Sequence, residues 1–215
     1  MAGVESTSTR TRLIQSAATL LWQRSYTAAG VDDLCRLSAA RKGSFYHFFR
    51  TKADLAIAAI EFQWASARST LFEPINNTGA PGLDRLRRLV EGVDAAQRQA
   101  LAERGVLLGC PFGSLGQEMA HQDERIRSAV QTVFDAHCHY LRVWLEEAAR
   151  ARQIVSGDAA LRARQIFALF EGALLMTTVA QDPAVFSSVC AAAPVLAGRT
   201  TAADSSRSAA MPELL

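Results

Sequence analysis

No stretch of the 215-residue chain approaches the roughly 20 consecutive apolar residues of a membrane-crossing helix. The opening residues, MAGVESTSTRTR, hold no apolar core of a secretory signal, so a cytoplasmic protein with no membrane partner is expected. Cysteine is scarce. Cys35, Cys110, Cys138 and Cys190 form no CxxC, and the chain is not a small secreted scaffold, so reduced thiols are expected rather than a disulfide framework. No segment alternates convincingly at period two, which argues against strands, and no internal repeat is visible. GxSxG, HExxH, the P-loop and the dinucleotide fingerprint are all missing. An all-α enzyme would have to arrange Glu118, Glu171 and His121 as acid and base, and nothing in their spacing favours it. Neither a cofactor nor a metal is expected. The run His137-Cys138-His139 is a poor ligand set, because residues i and i+2 of a helix point roughly 200° apart.

What the chain does have is apolar content and helical period. Hydrophobic residues make up 49%, enough for a substantial core. Leu13, Ala17, Leu20 and Leu21 repeat at helical spacing over residues 9–24. Leu55, Ala58, Ala59, Phe62, Ala65 and Phe72 do so over 52–72, and Leu83, Leu86, Val90, Val93 and Leu101 over 83–101. Ile126, Val130, Phe134, Leu141, Trp144, Leu145 and Ala148 mark a long helix at 124–150. Breaks fall at 73–82 (EPINNTGAPG), at 109–113 (GCPFG), at Ser156-Gly157-Asp158, where Asp158 can cap a helix, and at Gln181-Asp182-Pro183. The chain therefore reads as all-α: an N-terminal three-helix domain followed by an antiparallel helical bundle, with about nine to ten helices in all. Residues 199–215, rich in Ala, Ser and Thr, read as a disordered tail.

Charge is uneven. The net charge is only +2, but the first 52 residues hold eight Lys and Arg against three Asp and Glu, leaving −3 on the rest. A basic N-terminal module on a mildly acidic body suits a polyanionic partner at one end. That module carries a helix-turn-helix pattern. Val31–Leu37 (VDDLCRL) places Asp32 and Asp33 in a first helical turn, where the helix dipole favours acids. Ser38-Ala39-Ala40 is a short turn, and residues 41–47 (RKGSFYH) begin a second helix anchored by Phe48 and Phe49. Such a helix reads bases with its N-terminal side chains, here Arg41, Lys42 and Ser44, and Gly43 lets the backbone come close. Tyr46, His47 and Lys52 can donate to phosphates, and Lys52 opens a helix whose free N–H groups also suit an anion.

Three strings carry a family likeness: Ser25-Tyr26-Thr27-Ala28, then Val31-Asp32-Asp33-Leu34-Cys35, and above all Lys42-Gly43-Ser44-Phe45-Tyr46-His47-Phe48-Phe49-Arg50-Thr51-Lys52-Ala53-Asp54-Leu55. Over residues 9–60 the chain resembles the tetracycline-repressor (TetR) family of transcriptional regulators. The resemblance implies DNA contacts at Thr27, Arg41, Lys42, Gly43, Ser44, Tyr46, His47 and Lys52. It also implies a homodimer on a palindromic double-stranded operator, released when a small-molecule effector enters a C-terminal pocket. The chain departs from the family where Ser25 replaces a common glycine, where Ala29-Gly30 replaces a Thr-Ser pair and so lacks a good cap, and where Ala39 replaces the turn glycine. Ala39 must then avoid positive φ or accept strain.

The expected division is a DNA-binding domain at 1–52, a ligand-binding and dimerisation domain at 53–198, and the tail. Phe62, Trp64, Cys110, Phe112, Met119, Trp144, Phe167 and Met176 are the candidate effector-pocket residues. The helix at 159–180 is apolar almost all round, which calls for the core on one side and a second subunit on the other. Phe134, Leu141, Phe170 and Leu174 are the candidate interface residues. Cys110, in GCPFGSLGQE, resembles a cysteine run of a TetR subgroup that senses electrophiles. Its position before a helix start suits a reactive thiol, with a small buried side chain in a tight turn as the alternative.

Overall fold

The computed structural model describes residues 8–199, and all regular structure in that span is helical. Eleven α-helices follow in order: α1 Thr9–Arg24, α2 Val31–Leu37, α3 Lys42–Phe48, α4 Lys52–Ala67, α5 Glu73–Asn76, α6 Gly82–Arg104, α7 Pro111–Met119, α8 Glu124–Arg150, α9 Ala159–Ala180, α10 Ala184–Cys190 and α11 Ala193–Leu196. A π-helical turn, Arg68–Phe72, extends α4. Two of the eleven have only four residues, which leaves nine of substance among the described residues, as the sequence pattern predicts. The short helices after the break at 181–183 carry no clear periodicity. The expected tail, Arg199 apart, lies outside the described residues.

The chain does not divide at residue 52. One compact unit joins the chain up to Thr70 with Cys110–Phe134; the other joins Leu71–Gly109 with Asp135 onward. Helices α7 and the first part of α8, expected in a separate C-terminal domain, thus complete the N-terminal unit. The cause is core size. Three short helices bury little surface of their own. Phe112, Leu115, Met119, Ile126, Val130 and Val133 join Leu13, Ala17, Leu34, Phe45, Leu55 and Ile60 in one core, with Phe134 half-buried against it. Helix α1 packs on α4, α2, α3 and α7. It is capped by the Ser8 hydroxyl, which accepts from the Thr11 N–H at 3.2 Å.

In the second unit α6 packs on α5, α10 and α11, and α9 on α10 and α11. Asp158 caps α9 as expected, accepting from the Leu161 N–H at 2.9 Å. Helix α6 begins hard against α8, since a Cβ on Gly82 would lie 1.9 Å from the Trp144 carbonyl oxygen. At the break before α7, Gly109 sits at φ +71, and a Cβ there would meet the Thr178 hydroxyl at 2.6 Å. Both conditions require glycine.

Candidate nucleic-acid interface

The DNA-reading candidate is built from the inside out. Phe45 and Phe49 are buried, their rings 6.1 Å apart, and they fix α3 to the core. The opposite side of that helix is open. Arg41, Lys42, Gly43, Tyr46 and His47 are exposed, Ser44 is half-exposed, and none of the described residues lies within 4 Å of where a Cβ on Gly43 would stand. Helix α3 begins one residue later than the sequence predicts, so Arg41 becomes its N-cap. The structure therefore brings six of the eight expected DNA-contact residues onto one solvent-facing element.

Behind it the turn from α2 is held by backbone geometry. Ala39 has φ 50, its N–H donates to the Arg36 carbonyl at 3.3 Å, and the Ala40 N–H donates to the Cys35 carbonyl at 2.9 Å. These two bonds make a Schellman motif with an alanine in the glycine position. Of the two outcomes open to Ala39, the chain takes strain. Gly30 caps α2 with no side chain of its own, and Asp33 partly compensates by accepting from the Gly30 N–H at 3.4 Å. Lys42 Nζ pairs with Asp32 at 2.8 Å, which raises the lysine's pKa. Both groups are largely exposed, so this pair is weak and exchangeable for another anion.

Two expected contacts sit differently. Lys52 Nζ does not project freely. It donates to the carbonyls of Tyr26 at 2.8 Å and Ala29 at 3.1 Å and lies 4.0 Å from the centre of the Tyr26 ring. Burial lowers its pKa, opposed by the negative charge of Glu118. Nor are the first N–H groups of α4 all open to an anion. Thr51 and Asp54 form a reciprocal capping box at 3.1 and 2.9 Å, a signal legible in the spacing Thr51-x-x-Asp54. Thr27 is exposed, but its N–H donates to Glu118 Oε1 at 2.7 Å, while the Tyr26 N–H donates to Oε2 at the same distance. The sequence marks Glu118 only as a possible acid; no spacing rule links it to a turn 91 residues earlier. Burial acts to raise the Glu118 pKa. The hydrogen bonds from Thr27, Tyr26 and Ser25 outweigh it and hold the carboxyl below its ordinary value. Arg125 ties Asp54 at 2.7 Å to Asp123 at 3.4 Å.

The effector-pocket candidates do not gather. In the first unit Phe112 and Met119 are buried in the core, Trp64 and Cys110 pack half-buried against it, and Phe62 is exposed. In the second, Trp144 is 1% exposed, stacked 6.2 Å from Phe72 and donating from its indole N–H to Asn76 at 3.2 Å. Phe167 packs on His137 at 5.3 Å, and Met176 faces solvent. Large apolar residues at helical spacing are what a core requires, and most of these were recruited to one. A surface cavity of about 590 Å³ is lined instead by Asn76, Asp135, His139, Tyr140 and Val143, and another of about 380 Å³ lies between Leu145 and Arg162. No candidate residue lines either cavity. Of the interface candidates, Leu141 and Phe170 turn inward at 2% and 6% exposure, Phe134 packs on the first unit's core and Leu174 is half-buried. The outward apolar residues of α9 are Leu161, Leu175, Met176 and Val179.

Cys110 is the N-cap of α7. Its Sγ accepts from the Gly113 N–H at 3.4 Å. All four cysteines are thiols. Burial pushes the Cys35 and Cys138 pKa values up and that of Cys190 up to about 12. No helix of the described residues is long and apolar enough to cross a membrane.

Comparison with known proteins agrees with this geometry. Residues 13–59 match the family described as bacterial regulatory proteins, tetR family, and residues 82–193 match the tetracyclin repressor-like C-terminal domain. The transcriptional regulator AcuR of Cereibacter sphaeroides is 32% identical over 123 residues, 57% of this chain and 54% of AcuR. The chain thus matches about half the length of AcuR. The HTH-type transcriptional repressor NemR of Escherichia coli is 27% identical over 178 residues, 81% of this chain and 86% of NemR. Its reduced form superimposes with a TM-score of 0.73 over 88% of this chain and 97% of that one, at 25% identity. The regulatory protein TetR from Rhodobacter sphaeroides gives a TM-score of 0.75 at 27% identity, over 86% of this chain and 96% of that one.

Proposed function

The chain belongs to the TetR family of transcriptional regulators, and from that premise we propose that it binds a palindromic DNA operator as a homodimer and is released by a small-molecule effector. The carrying observation is the open face of α3: Arg41, Lys42, Tyr46 and His47 stand in solvent around a glycine with free space before it, while Phe45 and Phe49 lock the helix from behind. Arg41, Lys42 and Ser44 read base edges. Tyr46 and His47 bind phosphates, and Thr27 and Lys52 fix the turn beside them. Lys42 exchanges its Asp32 partner for DNA on binding. The N-terminal helices form the DNA-binding domain, and the second unit supplies ligand binding and dimerisation. The outward face of α9, where Gly172 leaves room for close approach, meets the same face of a second copy.

A mobility shift with DNA from upstream of the gene itself tests this. Lys42→Ala should weaken binding by about 1–3 kcal/mol, and log Kd should rise steeply with log salt. An affinity indifferent to salt and to Lys42 contradicts the reading. The physiological ligand is then the compound that abolishes the shift. No enzymatic role is proposed.

A second reading is favoured by one observation. Cys110 caps α7 through its sulfur, so a covalent adduct there removes a helix cap and adds bulk at the helix start. On this reading the effector is an electrophile. Retained release by N-ethylmaleimide in Cys110→Ser would exclude it.

A further inference from the structure

The turn between α1 and α2 is held by two opposite charges from two different helices. From α7, Glu118 uses both carboxylate oxygens, one on the Tyr26 N–H and one on the Thr27 N–H, each at 2.7 Å. From α4, Lys52 takes the Tyr26 and Ala29 carbonyls. A single residue, Tyr26, thus has its N–H on an anion and its C=O on a cation. Charge-assisted bonds of this kind are about twice as strong as neutral ones. The turn needs holding. Ser25 stands at φ 78, a left-handed conformation that a serine keeps only where its surroundings over-determine it. The hydrogen bonds that Ser25 and Thr27 give Glu118 also hold its carboxyl ionised.

We propose that Glu118 is a positioning residue for DNA binding: by clamping the Tyr26–Thr27 backbone it sets where α2 and α3 stand, and it is the point through which α7 acts on the DNA-reading helix. The inference rests on the proposed DNA-binding function of α3. Helix α7 has nine residues, and its other end is the Cys110 cap. A shift of α7 therefore pulls directly on the backbone leading into α2. The neighbouring tie, Arg125 to Asp54, joins the starts of α8 and α4 but is largely exposed, and surface ion pairs contribute little. Glu118 is the stronger of the two ties.

Glu118→Gln is the diagnostic variant. A glutamine has the same shape but a single acceptor oxygen, so one of the two N–H groups would face an amide NH₂ instead. Without DNA, amide hydrogen exchange at Tyr26 and Thr27 should quicken at least tenfold. With operator DNA, Kd for the folded, binding-competent fraction should rise roughly tenfold at fixed salt. The slope of log Kd against log salt should stay as in wild type, because Glu118 contacts no phosphate and releases no counterion. A purely structural role would lower the melting temperature and leave the Kd of the folded fraction unchanged, which overturns the proposal. So does a changed salt slope, or unaltered exchange at both amides. If Glu118→Gln does not fold, Glu118→Asp, which keeps the charge with a shorter reach, should show the same two changes in smaller degree. If wild-type protein binds no operator, the DNA-binding reading fails, and the exchange arm alone still tests the clamp.

Discussion

Replacing Ala39 by glycine should stabilise the protein, although it removes a methyl group and adds backbone freedom. Ala39 occupies the left-handed position of the Schellman motif that ends α2, at φ 50, and its side chain is exposed. A Cβ in that conformation crowds the following carbonyl at a cost of about 1–2 kcal/mol. Glycine escapes this but loses about 0.5–1 kcal/mol more entropy on folding. The difference leaves a gain of about 0.5–1 kcal/mol, or roughly 1–4 °C in Tm for a chain of this size. No packing is lost, and both hydrogen bonds of the motif are made by backbone. Ala40 is an internal control. It is half-buried against the core and has no positive φ, so Ala40→Gly should lower Tm by an equal or larger amount. Thermal melts by circular dichroism at one protein concentration decide the matter. If Ala39→Gly melts below wild type, or both variants move the same way, the assignment of strain to this turn is refuted.

Four further outcomes follow from the structure. The Thr177 hydroxyl is fully buried and has no hydrogen-bond partner among the described residues, so Thr177→Val should raise Tm by about 2–4 °C, a gain of about 1 kcal/mol. Gly82→Ala would place a methyl 1.9 Å from the Trp144 carbonyl oxygen, a backbone atom that cannot swing aside; a loss of about 2 kcal/mol or more should appear in the same melts. Iodoacetamide at pH 8 should modify Cys110 first by mass spectrometry. Burial raises the pKa of Cys35, Cys138 and Cys190, the last to about 12, so these stay protonated and slow until the pH climbs well above 8 or the protein unfolds. If the proposed dimer forms through the outward face of α9, Val179→Asp, at a site 79% exposed, should leave Tm at high dilution near wild type and shift the sedimentation profile from dimer to monomer.

The helix limits were legible because local chemistry sets them. Residues 31–37, 124–150 and 159–180 form helices with the bounds that periodicity and breaks predict. The open basic face of α3 follows from a seven-residue helix with one apolar side, but of the expected anchors only Phe49 is buried: Phe48 is 39% exposed, and Phe45, one turn before Phe49, takes its place. The partition into units was not legible. Whether Phe112, Met119 and Ile126 fill a pocket, a second core or the core under α1 depends on which helices they meet. Their spacing is the same in all three cases. The Glu118 clamp was hidden for a related reason. A carboxylate bonded to backbone N–H groups imposes no residue type on its partners, so Tyr26 and Thr27 carry no mark of it.

Helix α9 shows where the limit falls. Its all-round apolar character calls for two buried sides, and the described residues bury one of them: Ala163, Ile166, Phe170, Ala173 and Thr177 face inward. At 100° per residue, Leu161, Ala168, Gly172, Leu175 and Val179 stand within about 40° of the direction opposite Phe170. All five are exposed. The sequence therefore establishes that two faces exist but not which is which, since leucine and phenylalanine serve equally in a core and against a second subunit. Of the two interface candidates on this helix, Phe170 is buried at 6% exposure and Leu174 is half-buried, both on the side that faces the core. The small residues are the better guide. Gly172 and Ala168 mark the side where another helix backbone can come close, and none of the described residues lies within 4 Å of where a Cβ on Gly172 would stand.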